Sequence, residues 1–453
     1  MDEKRLIEMN MDWSIPRRDL PPRGETESRA RQRLEEVRRQ AGVVFGIIDE
    51  LREDAVALLQ ELVGTPSVNP SDDFESKVAA VIAGHMRDMD MKVDFVEPAP
   101  RRVNNMGSFQ FSSEGPVLAL HCHMDTVPPG NPDQWSVPPF GGVVRDGKLY
   151  GRGAKDSKLG IAAQLMTLRA LQQSSVDLKG TLKLSQEADE EMGGHYGSHA
   201  IVESGFFDDA DWVLYTEGTP QRISVGHRGI LWVQITGHAV YAEPTVSERV
   251  SFPQSWKSMK HRTSNPILQM LEVARAVDTM QFSPVPPDPV VPGASGYATV
   301  NKIWGGTKEN AMPDQCCILA DIRTLPGLTA EQALADITEE LNCIRRRQAH
   351  LGGLAVEDPK VVMAARASSI DPDEPLVIYL QHAIREVMGI DVPAHGSMGG
   401  GGGSRWICLD AKVPVAGWAA GRNTSHRPNE HIDIEDYINT IKVYALLAMM
   451  KLG

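Results

Sequence analysis

A histidine and an aspartate lie two residues apart at the end of a short apolar segment, and their spacing could support metal chemistry. The segment 116–120 (PVLAL) is typical of a buried strand in a mostly parallel sheet, and it leads directly into 121–128 (HCHMDTVP). A neutral imidazole at His123 can bind a metal ion, and the carboxylate of Asp125 can hold its ring in place. The alternative is a polar strand end with a solvated histidine and aspartate.

A second candidate is Asp156, which lies in the glycine-rich turn 151–160 (GRGAKDSKLG) just before a predicted helix from Ile161 to about Gln172. An aspartate in this position is often only an N-cap of the helix. A phosphate-binding loop is the less favoured interpretation, because the glycines are not followed by the lysine and hydroxyl residue of that motif.

Acidic residues follow two further predicted strands. The run 187–194 (EADEEMGG) comes after strand 180–186 and contains Glu190 and Glu191, and Glu217 follows the short strand 212–216. Such a run is often a solvated patch. At the carboxyl end of a core strand, however, like charges repel unless a cation or a raised pKa relieves them.

The turn 421–430 (GRNTSHRPNE) adds a second histidine and completes a set of candidate metal ligands: His123, Asp156, Glu191, Glu217 and His426. Two imidazoles and three carboxylates favour zinc, manganese or cobalt over calcium or magnesium. Two ions that share a bridging carboxylate need about this many groups. The adjacent Glu190 is then left over as a general base for hydrolysis by metal-activated water.

Composition limits the class of protein. The chain has 453 residues, of which 42% are hydrophobic and 23% charged, as expected for a globular protein of two or three domains. Its net charge of −14 argues against nucleic acid or an anionic membrane as a main partner. Five scattered cysteines without framework spacing, and no apolar run of signal or membrane-spanning length, predict a cytoplasmic location.

The predicted elements change character twice along the chain. We expect an N-terminal extension over 1–49, consisting of a polar arm and an Arg- and Glu-rich helix, for which an oligomer contact is favoured over nucleic-acid binding. Interleaved strands and helices over 50–222 predict an α/β domain with a mostly parallel sheet flanked by helices. An α+β insert follows over 223–362, and the first pattern resumes over 363–453.

Five motifs in order resemble the metal-dependent aminoacylase, carboxypeptidase G, acetylornithine deacetylase and succinyl-diaminopimelate desuccinylase family of zinc-peptidase-like amidohydrolases. The resemblance covers about residues 50–453. It rests on 123–128 (HMDTVP), 151–158 (GRGAKDSK), 189–194 (DEEMGG), Glu217 and 426–430 (HRPNE).

The resemblance implies a role for each candidate. Asp156 would bridge two divalent ions, zinc with manganese or cobalt as alternatives, with single occupancy as a further alternative. One ion would be bound by His123 and Glu217, and the other by Glu191 and His426. In addition, Asp125 would orient His123, Glu190 would be the general base, and a cis peptide would follow Asp156. The fold implied is a catalytic domain of two chain segments with an inserted lid domain that often forms homodimers.

Two residues of the insert match positions that contact substrate in this family. Arg323, in 321–323 (DIR), would bind a substrate carboxylate in a bidentate pair, although a surface arginine is an equal alternative. Asn310, in 309–313 (ENAMP), would lie near the substrate. The glycine run 399–403 could present backbone amides to an anion, or could simply be a flexible loop.

The insert departs from the family at Tyr241, where the resemblance implies a histidine that stabilises the oxyanion. A phenol can donate a hydrogen bond but cannot become a cation near neutral pH. On a strand, His238 would face the opposite way from Tyr241. We therefore keep a second hypothesis, in which the enzyme releases ammonia from a non-peptide C–N bond such as that of an activated aromatic amine.

The main hypothesis is hydrolysis of a small, carboxylate-bearing N-acyl amino acid or related compound by metal-activated water. A third hypothesis, a non-catalytic binding protein with the same fold, is the least favoured. Its signature would be a missing ligand or base, and the sequence lacks neither.

Overall fold

Four parallel strands form the centre of the larger of two units in the computed structural model. This unit comprises Ile15–Gly226, Ser369–Ser397 and Gly402–Gly453, and the smaller unit comprises Met1–Ser14, His227–Ser368 and Met398–Gly401. The structure describes residues 8–9, 11–16, 18–71, 73–239, 265–286, 288, 290, 295–310, 313–348, 355–400 and 402–453.

The strands of the larger unit's two sheets are β1 Lys92–Val96, β2 Asn104–Gln110, β3 Val117–His123, β4 Val143–Arg145, β5 Lys148–Tyr150, β6 Thr181–Glu187, β7 Trp212–Tyr215, β15 Val415–Gly417 and β16 His431–Asp433. The four parallel strands lie in the order β6, β3, β7, β15, and two antiparallel strands, β2 and β1, extend the sheet beyond β6. A separate antiparallel sheet has the order β16, β5, β4.

Helices pack against this sheet and against one another. Their bounds are α1 Arg23–Glu50, α2 Arg52–Val63, α3 Ser76–Asp88, α4 Lys158–Gln173, α5 Ala200–Glu203, α8 Pro375–Met388, α9 Ser404–Trp406 and α10 Ile434–Leu452. Helices α4 and α10 lie against β3, and both are buried along nearly their whole length. This arrangement confirms the predicted α/β class with a mostly parallel sheet.

Helix α1 contains the predicted Arg- and Glu-rich helix, and its apolar face packs within its own chain. The buried residues recur every three or four positions, as on one face of a helix: Ala30, Leu34, Val37, Ala41, Val44 and Ile48. This face packs against α4, α8 and α10. The N-terminal helix is therefore a structural part of the larger unit.

The smaller unit is an α+β layer built on antiparallel strands. The remaining elements are β8 Ile223–His238, β9 Tyr297–Gly305, β10 Gln315–Thr324, β11 Ala355–Val356, β12 Lys360–Ala365, β13 Ser368–Ser369, β14 Ala394–Gly400, α6 Pro266–Thr279 and α7 Ala330–Gln348. Strand β10 pairs with β8 on one side and with β9 on the other, and β11 and β12 also pair with β8.

The core of this smaller unit lies between the sheet and its two helices. Alternate residues of β8 and β10, such as Val233 and Ile318, belong to one buried apolar cluster with Met270 of α6 and Ile337 of α7. Trp13 joins this core, so the expected arm is packed against the smaller unit at this residue rather than projecting.

The part of the chain that the structure describes contains no helix with both the length and the apolar character needed to cross a membrane.

The packing of α1 predicts the effect of shortening one of its buried side chains. Replacing Leu34 by alanine should lower the free energy of unfolding by about 2–5 kcal/mol, because it leaves a cavity between α1 and its neighbours. Arg39→Ala, on the exposed face of the same helix, is the control and should change stability by less than about 0.5 kcal/mol. Equal stabilities of the two variants in urea unfolding would show that α1 does not support the core.

Candidate metal centre

The ends of neighbouring parallel strands bring the candidate ligands together. Strand β3 ends at His123, which is in register with Glu187 at the end of β6, and β7 runs parallel on the other side of β3. The acidic turn follows β6, and Glu217 follows β7. Since the carboxyl ends of parallel strands meet at one edge of a sheet, these side chains converge there.

Three ligand atoms form a first group around His123. Its Nε2 lies 3.0 Å from Oδ1 of Asp156 and 3.4 Å from Oε2 of Glu217. The imidazole is buried, and all three ligand atoms lie within 4.8 Å of one another. One nitrogen and two carboxylate oxygens at this spacing suit a divalent transition metal.

A second group forms on the other oxygen of the same aspartate. Oδ2 of Asp156 lies 3.2 Å from Nε2 of His426, and that nitrogen lies 3.2 Å from Oε1 of Glu191. The two groups therefore share Asp156, with one carboxylate oxygen directed to each histidine. The donor set fits a pair of ions bridged by one carboxylate, and the five residues that sequence analysis selected are brought together in one place.

The peptide bond between Asp156 and Ser157 is cis, as the family resemblance implied. It lies just before α4, in the turn that carries the shared carboxylate.

Asp125 connects the histidine to the acidic turn. His123 Nδ1 lies 3.0 Å from the backbone oxygen of Asp125 and 3.4 Å from its carboxylate. That carboxylate accepts hydrogen bonds of 3.1 Å from the backbone amides of both Glu190 and Glu191, and one of 2.9 Å from Asn69. Its contacts thus place Nε2 of His123 toward Asp156 and fix the turn that bears Glu190.

Hydrogen bonds to carboxylates dominate the protonation of the two histidines. The pKa of His426 rises to about 10, first through its hydrogen bonds to Asp156 and Glu191. Burial by itself would lower the pKa of His123, but hydrogen bonds to Asp125, Asp156 and Glu217 raise it well above its ordinary value. In the metal-free protein the two imidazolium groups thus supply the positive charge that the carboxylates require.

The carboxylates of the site respond to burial and to one another. Burial raises the pKa of Glu190 well above its ordinary value, and the nearby negative charges of Glu191 and Glu217 raise it further. The pKa of Glu191 is raised chiefly by burial. Burial opposes ionisation of Asp156 as well, but hydrogen bonds from the two histidines more than offset it and lower its pKa. A carboxyl group with a raised pKa can carry a proton near neutral pH, as general-base and general-acid steps require.

A buried layer beneath the acidic turn escaped sequence analysis. Arg102 donates to Oε1 of Glu75 at 2.7 Å and to Asn69 at 3.0 Å, and it lies 3.3 Å from Asp189. Glu75 is fully buried, and its Oε1 also accepts from the amide of Asp189 at 3.3 Å. This one guanidinium therefore supports both the turn that carries Glu190 and the asparagine that holds Asp125.

A second buried cluster lies under the strand ends. Glu187 accepts a hydrogen bond of 2.7 Å from the hydroxyl of Tyr215 and lies 3.2 Å from Nε2 of His121. A Cβ on Gly403 would lie only 2.3 Å from Oε1 of Glu187. Gly403, the last residue of the glycine run, thus packs against this carboxylate. The first two residues of the run, Gly399 and Gly400, end strand β14.

Two substrate-binding candidates of the insert, Arg323 and Asn310, lie in the smaller unit. Arg323 lies on β10, where its Nη2 donates to Asp321 at 2.9 Å, and Asn310 is exposed after β9. Tyr241 lies outside the described residues. His238, at the end of β8, lies 2.7 Å from Oε1 of Glu357.

We compared the chain with known protein families and with solved structures. The sequence model of Peptidase family M20/M25/M40 matches residues 119–450. The chain belongs to this family. It is therefore a metallohydrolase of the M20 group, whose members act on amide or peptide bonds, and the resemblance noted in the sequence is confirmed.

Individual M20 relatives are distant but match along most of their length. An uncharacterized metallohydrolase of Methanocaldococcus jannaschii is 24% identical over 423 residues, covering 87% of this chain and 98% of the relative. A succinyl-diaminopimelate desuccinylase of Sulfurovum sp. is 26% identical over 400 residues, covering 86% and 97%. The crystal structure of a dinuclear metal-binding M20 peptidase of Bacillus subtilis has a TM-score of 0.64 at 16% identity, covering 89% and 99%.

The raised pKa of His426 predicts that metal binding releases protons. A metal ion binds neutral imidazole, whereas this histidine stays protonated up to about pH 10 in the metal-free protein. Affinity for Zn²⁺ should therefore rise with pH between 6 and 8, by about tenfold per pH unit for each proton released.

Calorimetric titration in buffers of different ionisation enthalpy measures this proton release. His426→Gln is the control and should release fewer protons than the unsubstituted protein. An affinity that is independent of pH, with no proton release, would contradict the assignment.

Proposed function

We propose that this protein is a dinuclear metal amidohydrolase that cleaves the C–N bond of a small, carboxylate-bearing N-acyl amino acid or a related compound. One observation carries the proposal: a buried aspartate offers one carboxylate oxygen to each of two histidines, and each histidine also faces a second carboxylate. Membership of the M20 family supports the reaction class.

In this proposal His123 and Glu217 would hold one ion, Glu191 and His426 would hold the other, and Asp156 would contribute its carboxylate to both. Zinc is favoured because the set combines imidazole nitrogens with carboxylates, and manganese or cobalt is the alternative. Single occupancy remains the other arrangement to be distinguished by experiment. When bound, the ions supply Lewis acidity, which lowers the pKa of water and polarises the carbonyl of the amide.

Glu190 is proposed as the group that moves the proton. Its carboxylate would accept a proton from the attacking water and then donate it to the leaving nitrogen, so that an acid and an amine are formed. The backbone amide of Glu190 is held at 3.1 Å by Asp125, which fixes the base relative to His123. The raised pKa of Glu190, caused first by burial, supports the second half of this transfer, because it favours the protonated form that donates to the leaving nitrogen.

A carboxylate on the substrate is proposed from two considerations. Arg323 lies in the segment DIR, which matches the position of a carboxylate-binding arginine in the resembling family, and Asn310 matches a nearby substrate contact. The desuccinylase relative is named for a substrate that bears carboxylates. We propose Arg323, Asn310 and Tyr241 as substrate-binding residues on this basis.

A homodimer or a higher homo-oligomer that forms through the smaller unit is also part of the proposal. Strand β9 is the last strand in its sheet order among the described residues, and its side chains Ile303 and Trp304 are exposed. Leu268 and Leu271 are exposed on the helix that packs against this strand. Exposed apolar side chains on an edge strand and a neighbouring helix favour association with another chain.

Replacing Glu190 by glutamine tests the proposed base. The variant keeps the shape of the side chain but cannot accept the proton, so turnover should fall by about 10²–10⁴-fold. Metal content, measured by mass spectrometry, should stay unchanged because Glu190 is not one of the proposed ligands. Glu203→Gln, an exposed carboxylate on α5, is the control and should keep full activity. Retained turnover of Glu190→Gln with both ions bound would contradict the role of Glu190.

A second candidate function is aminohydrolysis of a non-peptide C–N bond, such as that of an activated aromatic amine. The observation that favours it is Tyr241, a neutral residue where the resembling family has a histidine suited to stabilising an oxyanion. Such a reaction uses the same activation of water but passes through a different charged intermediate.

A substrate panel distinguishes the two functions. Metal-loaded protein is incubated with N-acyl amino acids and with amino-aromatic acids, and released amine and ammonia are measured separately. The amidohydrolase proposal predicts amine release from acylated substrates bearing a carboxylate, and a lower kcat/KM when that carboxylate is replaced by an amide. Ammonia release from amino-aromatic acids alone would favour the second function.

A further inference from the structure

Glu430 holds the turn that carries the shared aspartate, although its carboxylate is not one of the candidate ligands. Its Oε1 accepts hydrogen bonds of 2.9 Å from the backbone amides of both Lys155 and Asp156. Its backbone oxygen accepts a further hydrogen bond of 2.9 Å from Gly151. Glu430 therefore holds the turn 151–156 in two places, at Gly151 where it begins and at Asp156 itself.

A buried cation completes this contact. Oε2 of Glu430 accepts a hydrogen bond of 2.5 Å from Nη1 of Arg152, and the two residues are 0% and 2% exposed. The guanidinium lies near the Trp135 ring, 5.4 Å from its centre. A buried pair of this kind is sensitive to loss of either partner, because the remaining charge is left without compensation.

The same segment also carries the second histidine. His426 lies four residues before Glu430, and its backbone adopts a left-handed conformation with φ of +61°. Between them, Asn429 accepts a hydrogen bond of 2.7 Å from the amide of Ser136 and donates one of 3.1 Å to the backbone oxygen of Gln134. The loop that presents His426 is therefore anchored at its C-terminal end by Asn429 and Glu430.

These contacts join two ligands that come from distant parts of the chain. Asp156 precedes α4, His426 follows β15, and Glu430 ties their loops together through three backbone amides and one guanidinium. A displacement of the Asp156 turn would change the position of the carboxylate relative to both histidines at once. Groups that orient metal ligands in this way commonly affect affinity without touching the ion.

We propose that Glu430, paired with Arg152, is a positioning residue that sets the spacing of the two metal positions by holding the Asp156 turn against the His426 loop. This inference rests on the proposed function, in which Asp156 bridges two ions. Glu430 acts through the backbone of Asp156, so the first consequence of its loss is weaker metal binding, and reduced turnover follows from that.

Two substitutions separate the parts of this contact. Glu430→Gln keeps an acceptor oxygen for the amides of the turn but removes the negative charge that Arg152 requires. Glu430→Asp keeps the charge but withdraws the carboxylate from the turn by one methylene group. Tyr437→Phe is the matched control, because it removes a buried hydrogen bond of 3.1 Å to the backbone oxygen of Ala55 without touching the turn.

The experiment is calorimetric titration of metal-free protein with Zn²⁺, together with thermal unfolding of each variant. Both Glu430 variants should bind Zn²⁺ about 10–100-fold more weakly than the unsubstituted protein. Tyr437→Phe should lower the unfolding temperature and leave Zn²⁺ affinity unchanged. If Glu430→Gln does not fold, the Zn²⁺ affinity of Glu430→Asp tests the proposal.

The outcomes distinguish failure of the positioning role from failure of the proposed function. If the unsubstituted protein binds two ions and a folded Glu430 variant binds both within twofold of that affinity, the positioning role is wrong and the proposed function stands. If the unsubstituted protein binds no Zn²⁺, the proposed function fails, and this inference fails with it.

Discussion

The structure of the site depends on one carboxylate shared between two imidazoles. Asp156 places Oδ1 3.0 Å from His123 and Oδ2 3.2 Å from His426, and it is buried where an isolated negative charge would be strongly disfavoured. Two further carboxylates, Glu191 and Glu217, face the same histidines. So many acidic groups can stay together because cations, either protonated imidazoles or bound metal ions, balance them, and because burial raises the pKa of Glu191.

The larger unit is arranged to bring these groups to one edge. The strands β3, β6 and β7 run parallel, so that the residues following each strand meet, and α4 begins immediately after the turn that carries Asp156. Beneath the edge, Arg102 and Glu430 hold two of the turns by charge-assisted hydrogen bonds. The sheet therefore sets the approximate positions of the ligands, and the buried ionic contacts set their orientation.

The five candidate ligands could be selected from the sequence because each follows a local pattern, a strand or a glycine-rich turn ending in an acid or a histidine. Arg102, Asn69 and Glu75 could not, since their contacts arise only when distant segments pack together. Strand β2 also escaped prediction: its sequence NNMGSFQ lacks β-branched residues, and its buried Asn105 is accommodated by a hydrogen bond to the backbone oxygen of Ala79. Helix α1 continues past Gly42 and Gly46, which weaken a helical prediction, because packing on the larger unit outweighs their low propensity.

The central claim is that two ions bind on either side of Asp156, and anomalous X-ray diffraction from crystals of zinc-loaded protein tests it most directly. The account predicts two anomalous peaks about 3.5–4 Å apart, one near His123 and the other near His426, with the Asp156 carboxylate between them. Peaks remote from Asp156, or a single peak in contact with both histidines, would contradict it.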